Sequence, residues 1–217
     1  MAKCKVISVV QHKGGTGKTS LATNLACILS LRGYRVLFID ADAQANATVA
    51  LGLMEFEDDL SSFLSSGAGK MSRKQGIDII AGSLNSVELE HTLRAKEAAG
   101  ESSDSVISEL IQKVAKKGKY DYCIIDTAPA LGGLLASCIC AAHWVLCPTM
   151  PDTFGLQGLS RVRQIVEGAV QAKKKNGPNT HGYRVILNRV PRSNIGKMTA
   201  EAIRNAFDCF KKWFIGV

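Results

Sequence analysis

Residues 13–19 read Lys13-Gly14-Gly15-Thr16-Gly17-Lys18-Thr19. They follow the apolar run Val6-Ile7-Ser8-Val9-Val10 and precede a helix-like stretch from Ser20 to Ser30. Three glycines between a strand and a helix commit this region to a tight strand-loop-helix unit, because only glycine lets successive backbone N–H groups turn inward without a steric penalty. Such a nest at a helix N-terminus suits phosphate oxygens. In this arrangement Lys18 reaches the β/γ-phosphates and Thr19 offers its hydroxyl to Mg2+. Gly14, Gly15, Thr16, Gly17 and Ser20 complete the phosphate-binding set. The pattern implies that the chain binds a nucleoside triphosphate.

The rest of the chain supplies the scaffold that such a loop needs. Strand-like runs recur at residues 5–11, 35–40, 77–81, 122–126, 144–149 and 183–187, with helices expected over 19–31, 104–117, 132–142, 156–175 and 195–214. This alternation predicts an α/β fold of P-loop NTPase type, a mostly parallel twisted sheet with helices on both faces. The Ser/Gly-rich stretch 55–76 and the polar stretch 94–103 read as surface connections. The length of 217 residues suits one domain spanning 1–217. Seven cysteines scattered through apolar segments, with no signal peptide, read as buried thiols in a reducing cytoplasm. Residues 127–151 contain no Asp, Glu, Lys or Arg, yet Pro129, Gly132, Gly133, Pro148 and Pro151 divide them into a helix and a buried strand rather than a membrane span.

Two further strand ends carry carboxylates. Asp40-Ala41-Asp42-Ala43-Gln44 closes the second run, and Asp126 closes Tyr122-Cys123-Ile124-Ile125. Ligands of open α/β sheets bind at the C-terminal edge of the strands. Phosphoryl transfer to water needs positioning and charge stabilisation, which one carboxylate near Mg2+ and one orienting the attacking water would provide. Asp126 is the expected metal anchor. Asn188, at the end of the last strand-like run, has an amide able both to donate to and accept from an adenine edge.

The loop departs from the general pattern G-x-x-x-x-G-K-[ST], with His12 where that pattern has glycine and a second lysine, Lys13, at its entrance. It resembles the deviant Walker A loop of the ParA/MinD family of P-loop ATPases. The run Asp40-Ala41-Asp42-Ala43-Gln44 resembles the ParA switch I, Asp126 to Pro129 its switch II, and Cys147 to Asp152 and Asn188 later family segments. The resemblance covers residues 3 to about 193. It implies an ATP- and Mg2+-dependent ATPase that forms a homodimer on ATP binding. Lys13 would reach the partner's phosphates and share catalysis with Lys18 and Asp42. Asp42 would place the water, Asp40 would lie near the metal with Thr19 and Asp126, and Asn188 would contact the base. It further implies nonspecific DNA binding, a ParB-like centromere-binding partner, and a cytoplasmic, nucleoid-associated site of action in plasmid or chromosome partition.

Charge is segregated along the chain. Residues 1–155 carry 15 Lys/Arg against 16 Asp/Glu, whereas residues 156–217 carry 12 against 3. A basic surface of this kind suits nucleic acid or anionic lipid. Its candidates are Arg161, Arg163, Lys173, Lys174, Lys175, Arg189, Arg192, Lys197 and Arg204. Relatives in the family generally continue beyond the point where this sequence ends, so the adenine pocket is expected to be partial. An alternative is a MinD-like membrane-positioning ATPase, with Ile203, Phe207, Phe210 and Phe214 on one face of a terminal amphipathic helix. Switch I favours the ParA type, and a membrane partner is not expected.

Overall fold

The computed structural model describes residues 4–100, 102–118, 120–130, 132–176 and 183–206. Seven strands form one sheet in the order β3-β4-β2-β5-β1-β6-β7. They are β1 (Lys5–Val9), β2 (Val36–Ala41), β3 (Ser72–Lys74), β4 (Ile77–Ile80), β5 (Tyr122–Thr127), β6 (Trp144–Thr149) and β7 (Tyr183–Leu187). Every pairing is parallel except that of β3 with β4. The helices are α1 (Lys18–Leu31), α2 (Asn46–Ala50), α3 (Leu60–Ser66), α4 (Ser86–Ala98), α5 (Val106–Gly118), α6 (Gly133–Ala141), α7 (Thr153–Asn176) and α8 (Asn194–Ala206).

The central strands are hydrophobic throughout because both faces are covered. Leu37, Ile39 and Ala41 of β2 pack in one core with α3, α4, α5 and α6, together with Cys123 and Ile125 of β5. The alternate residues Val36, Phe38 and Ile124 turn to the opposite face, against Ala22, Ala26 and Leu29 of α1. This division follows from the two-residue period of a strand. A third core joins β6 and β7 to α6 and α7 through Val145, Cys147, Val185, Leu159 and Val162.

Parallel register brings the functional strand ends to one level. Asp40 stands opposite Asp126, and Val9 stands opposite Asp126 from the other side. The Thr127 hydroxyl donates to the Val9 carbonyl at 2.9 Å, pinning β5 to β1 just below the loop. Ser8 donates to the Cys138 carbonyl at 2.7 Å and holds α6 against β1.

The segment 55–76, expected as a surface connection, contains α3 and β3. Asp59 caps α3 by accepting from the Ser62 amide at 2.7 Å, and Leu60 and Phe63 bury one turn of an otherwise serine-rich helix. Similarly, α4 runs to Ala98 into the stretch expected to be a connection from residue 94. Leu89 and Leu93, four residues apart, give it an apolar stripe that its many charges mask. The terminal helix is described as far as Ala206; Phe207, Phe210 and Phe214 of the amphipathic pattern lie outside the described residues.

Phe38 is wholly buried beneath α1. Phe38→Ala is expected to lower stability by about 3–5 kcal/mol, measured as a fall in the urea midpoint with little change in slope.

Candidate nucleotide site

β1 delivers the loop, and the chain turns into α1 through Gly17. Gly15 and Gly17 have φ of 72° and 96°, in the left-handed region that side chains disfavour. Gly17 has a second constraint: a Cβ there would lie 2.7 Å from Asn188 Nδ2. That amide donates to the Thr16 carbonyl at 3.0 Å, so Asn188 stands against the loop, as its position at the end of β7 requires.

Lys18 is buried, and its Nζ lies 3.4 Å from the Lys13 carbonyl. Burial lowers its pKa, while the charges of Asp126 and Asp42 act in the opposite direction. Thr19 follows it on α1, and Ser20 is exposed one residue further.

Asp126 is fully buried at the end of β5, and neither carboxylate oxygen has a hydrogen-bond partner among the described residues. Burial pushes its pKa up to about 7, with Asp40 and Asp42 adding to the rise; Lys18 and the nearby Thr19 hydroxyl, which stops short of hydrogen-bond geometry, oppose it. A carboxylate stranded in this way is a site with donor capacity to spare for a cation, and the residues fit a magnesium-nucleotide.

Asp40, expected near the metal, is committed elsewhere. Its Oδ2 accepts from the Thr48 amide at 2.8 Å and from the Thr48 hydroxyl at 2.7 Å, while Oδ1 accepts from the Asp42 amide at 3.1 Å. Burial still raises its pKa, against these bonds. Asp40 therefore ties β2 to α2, and Asp126 is the member of the pair with both oxygens open. Gly82 is part of the same arrangement, since a Cβ there would lie 2.8 Å from the Asp40 carboxyl carbon. Asp42 is nearly buried, with Oδ1 accepting from the Gln44 amide at 3.0 Å.

Lys13 is partly exposed at the loop's entrance and forms an ion pair with Asp152, just ahead of α7. His12 lies between the Pro129 carbonyl and Arg161. Glu90 of α4 accepts from the Leu134 amide at 3.1 Å and occupies the space that a side chain at Gly132 would need. Thr48, Gly82 and Glu90 gave no signal as site residues in the sequence, because their roles come from tertiary approach rather than spacing; Arg161, read there as a basic-surface candidate, stands instead against His12 at the loop's entrance. Of the basic candidates, Arg163 is paired with Glu167 at 2.7 Å, and Arg189, Arg192 and Lys197 are exposed.

A phosphate-shaped loop after a central parallel strand, with carboxylates on the neighbouring strand ends, defines a P-loop NTPase domain. Residues 4–177 match the AAA domain family AAA_31. The chain belongs to that family, and the relatives it is similar to include ParA proteins. It is 34% identical over 174 residues to a ParA family protein of Chlamydia muridarum, covering 76% of this chain and 66% of the relative. It is 32% identical over 196 residues to a probable plasmid-partitioning protein ParA of Thermus thermophilus, covering 87% and 55%. The chain thus spans just under two thirds of the first relative's length and little more than half of the second's. Among solved structures, McdA from Cyanothece superposes with a TM-score of 0.79 at 24% identity, covering 96% of this chain and 84% of the other. A plasmid partition protein from Borrelia burgdorferi gives 0.74 at 23% identity, covering 96% and 88%. These two likenesses concern the fold. Among the described residues no helix is long and apolar enough to cross a membrane.

The stranded carboxylate has a thermodynamic consequence. Asp126 holds its proton to about pH 7 in the folded chain but only to about pH 4 when unfolded, so the folded state binds the extra proton between those values. Stability contributed by this group is present at low pH and is lost as pH rises through that window. In nucleotide-free protein, Asp126→Asn is expected to be more stable than the parent at about pH 8, by on the order of a few kcal/mol. The gap should close towards about pH 4, as read by urea unfolding at both values.

Proposed function

We propose that the chain is an ATP-dependent DNA-partition ATPase that alternates between an ADP-bound or free state and an ATP sandwich dimer. The observation that carries this reading is the entrance lysine. Lys13 lies at the open rim of the loop, paired with Asp152 at a contact outside the phosphate nest. Exchange of that carboxylate for the phosphates of a second copy would convert an internal ion pair into a bond between subunits. The switch is then differential binding, since only the ATP form offers the extra phosphate.

Lys18 and the loop amides would hold the phosphates, and Thr19 and Asp126 would hold magnesium, which supplies charge neutralisation across the phosphate oxygens. The carboxylate of Asp42, steadied by the Gln44 amide, would orient the attacking water. Asn188, fixed against Thr16, would border the base. Exposed Arg189, Arg192 and Lys197, with other basic residues of the C-terminal region, would meet DNA phosphates without reading sequence. A ParB-like centromere-binding protein would stimulate turnover at the nucleoid. Relatives named for chromosome partitioning in Caulobacter vibrioides and plasmid partitioning in Thermus thermophilus support this assignment.

Co-sedimentation with random-sequence DNA, in Mg-ATP or Mg-ADP at two salt concentrations, tests the reading. Binding should require ATP and fall steeply with salt. ATP-dependent binding to anionic liposomes without DNA binding would overturn it. In the same preparations Lys18→Ala should abolish ATP-induced dimers. Asp42→Ala should keep them while turnover drops by about 100-fold or more; normal hydrolysis by Asp42→Ala would remove that residue from the mechanism.

A further inference from the structure

Three consecutive residues at the loop's entrance attach it to the start of α7. Gln11 is buried and lies where a side chain at Gly158 would have to go, at 2.4 Å. Lys13 pairs with Asp152. Between them, His12 Nδ1 lies 2.8 Å from the Pro129 carbonyl oxygen, and His12 Nε2 lies 3.1 Å from Arg161 Nη1. Its own amide donates to Gln11 Oε1 at 2.9 Å.

The two ring contacts decide the state of the imidazole. A peptide carbonyl can only accept, so Nδ1 must carry the proton; a guanidinium can only donate, so Nε2 must be bare. With both contacts made as hydrogen bonds, the tautomer is set by the ring's partners: Nδ1 donates and Nε2 accepts. Protonation at Nε2 would set an N–H against the N–H of Arg161 and place two positive charges together. Lys13, next in sequence to the ring, is paired with Asp152, and residues 127–130 carry no charge.

We propose that His12 is a positioning residue: as the neutral Nδ1–H tautomer it joins the Pro129 carbonyl, in the segment that follows Asp126, to the Arg161 guanidinium of α7. It thereby fixes the spacing between the phosphate loop, that segment and a helix rich in basic residues. A glycine at this position, as in the general loop pattern, makes neither bond. Glutamine offers both a donor and an acceptor, so it can replace the ring in kind; phenylalanine keeps the ring shape and loses both bonds.

Nitrogen-15 NMR of histidine-labelled, nucleotide-free protein tests this without any assumption about activity. The chain has four histidines, and His12→Gln identifies the signal in question. The expected spectrum at neutral pH is that of the Nδ1–H tautomer, the form disfavoured in free histidine. Arg161→Ala should then shift the amide signals of Thr127, Ala128 and Ala130, and the same change made in a His12→Phe background should leave them unmoved. In ATP turnover, His12→Phe is expected to lower kcat about tenfold with KM nearly constant, and His12→Gln to restore most of it. A protonated or Nε2–H ring in the parent protein overturns the proposal, as do amide shifts that ignore residue 12.

Discussion

The organising constraint of this molecule is a carboxyl group buried at the end of a central strand, where burial favours its protonated form. Asp126 closes a strand whose two faces are covered, and both of its oxygens lack partners among the described residues. Lys18 feels the opposite penalty, pushed towards neutrality by the same burial that favours a protonated Asp126. A carboxylate and an ammonium each short of solvation make a site whose electrostatics remain incomplete in the chain alone. The sheet exists in this register to hold that arrangement: Val9, Asp126 and Asp40 come level because β1, β5 and β2 pair in parallel.

Around this centre the connecting segments are tethered to one another. Asp40 gathers Thr48 and the Asp42 amide, so the turn after β2 and the start of α2 form one unit. Glu90 presses on Gly132 and caps the first turn of α6, where a carboxylate complements the helix dipole. Gln11, His12 and Lys13 link the loop to α7. A displacement at one strand end is therefore opposed by contacts at the next, which favours discrete rearrangement over gradual drift.

Much of this was legible in the sequence. The loop, the parallel core strands and the strand-end carboxylates show in local pattern, because a glycine nest and a continuous apolar run have few alternative folds. What escaped depends on approach between distant segments. Asp40 reads as a metal-side carboxylate until Thr48, eight residues on, is seen to bond it twice. α3 is hidden because serines outnumber its apolar residues, and only Asp59 and the burial of Leu60 and Phe63 reveal why it forms. Gly132 reads in the sequence only as a break in an uncharged run; the structure adds that the Glu90 carboxylate occupies the space beside it.

The short strand β3 has an effect out of proportion to its three residues. Among the described residues it runs against the direction of every other strand, and it closes one margin of the sheet. Arg73 and Lys74 are exposed there, and Arg73 is held across the pair by Asp78 at 2.8 Å. Another strand docking at this margin would have to strip water from two cations to reach the backbone behind them. One of the two margins of a hydrophobic, mostly parallel sheet is in this way made unattractive as a template for unfolded copies of the chain, and the guard is a hairpin that the composition of its segment gave little reason to expect.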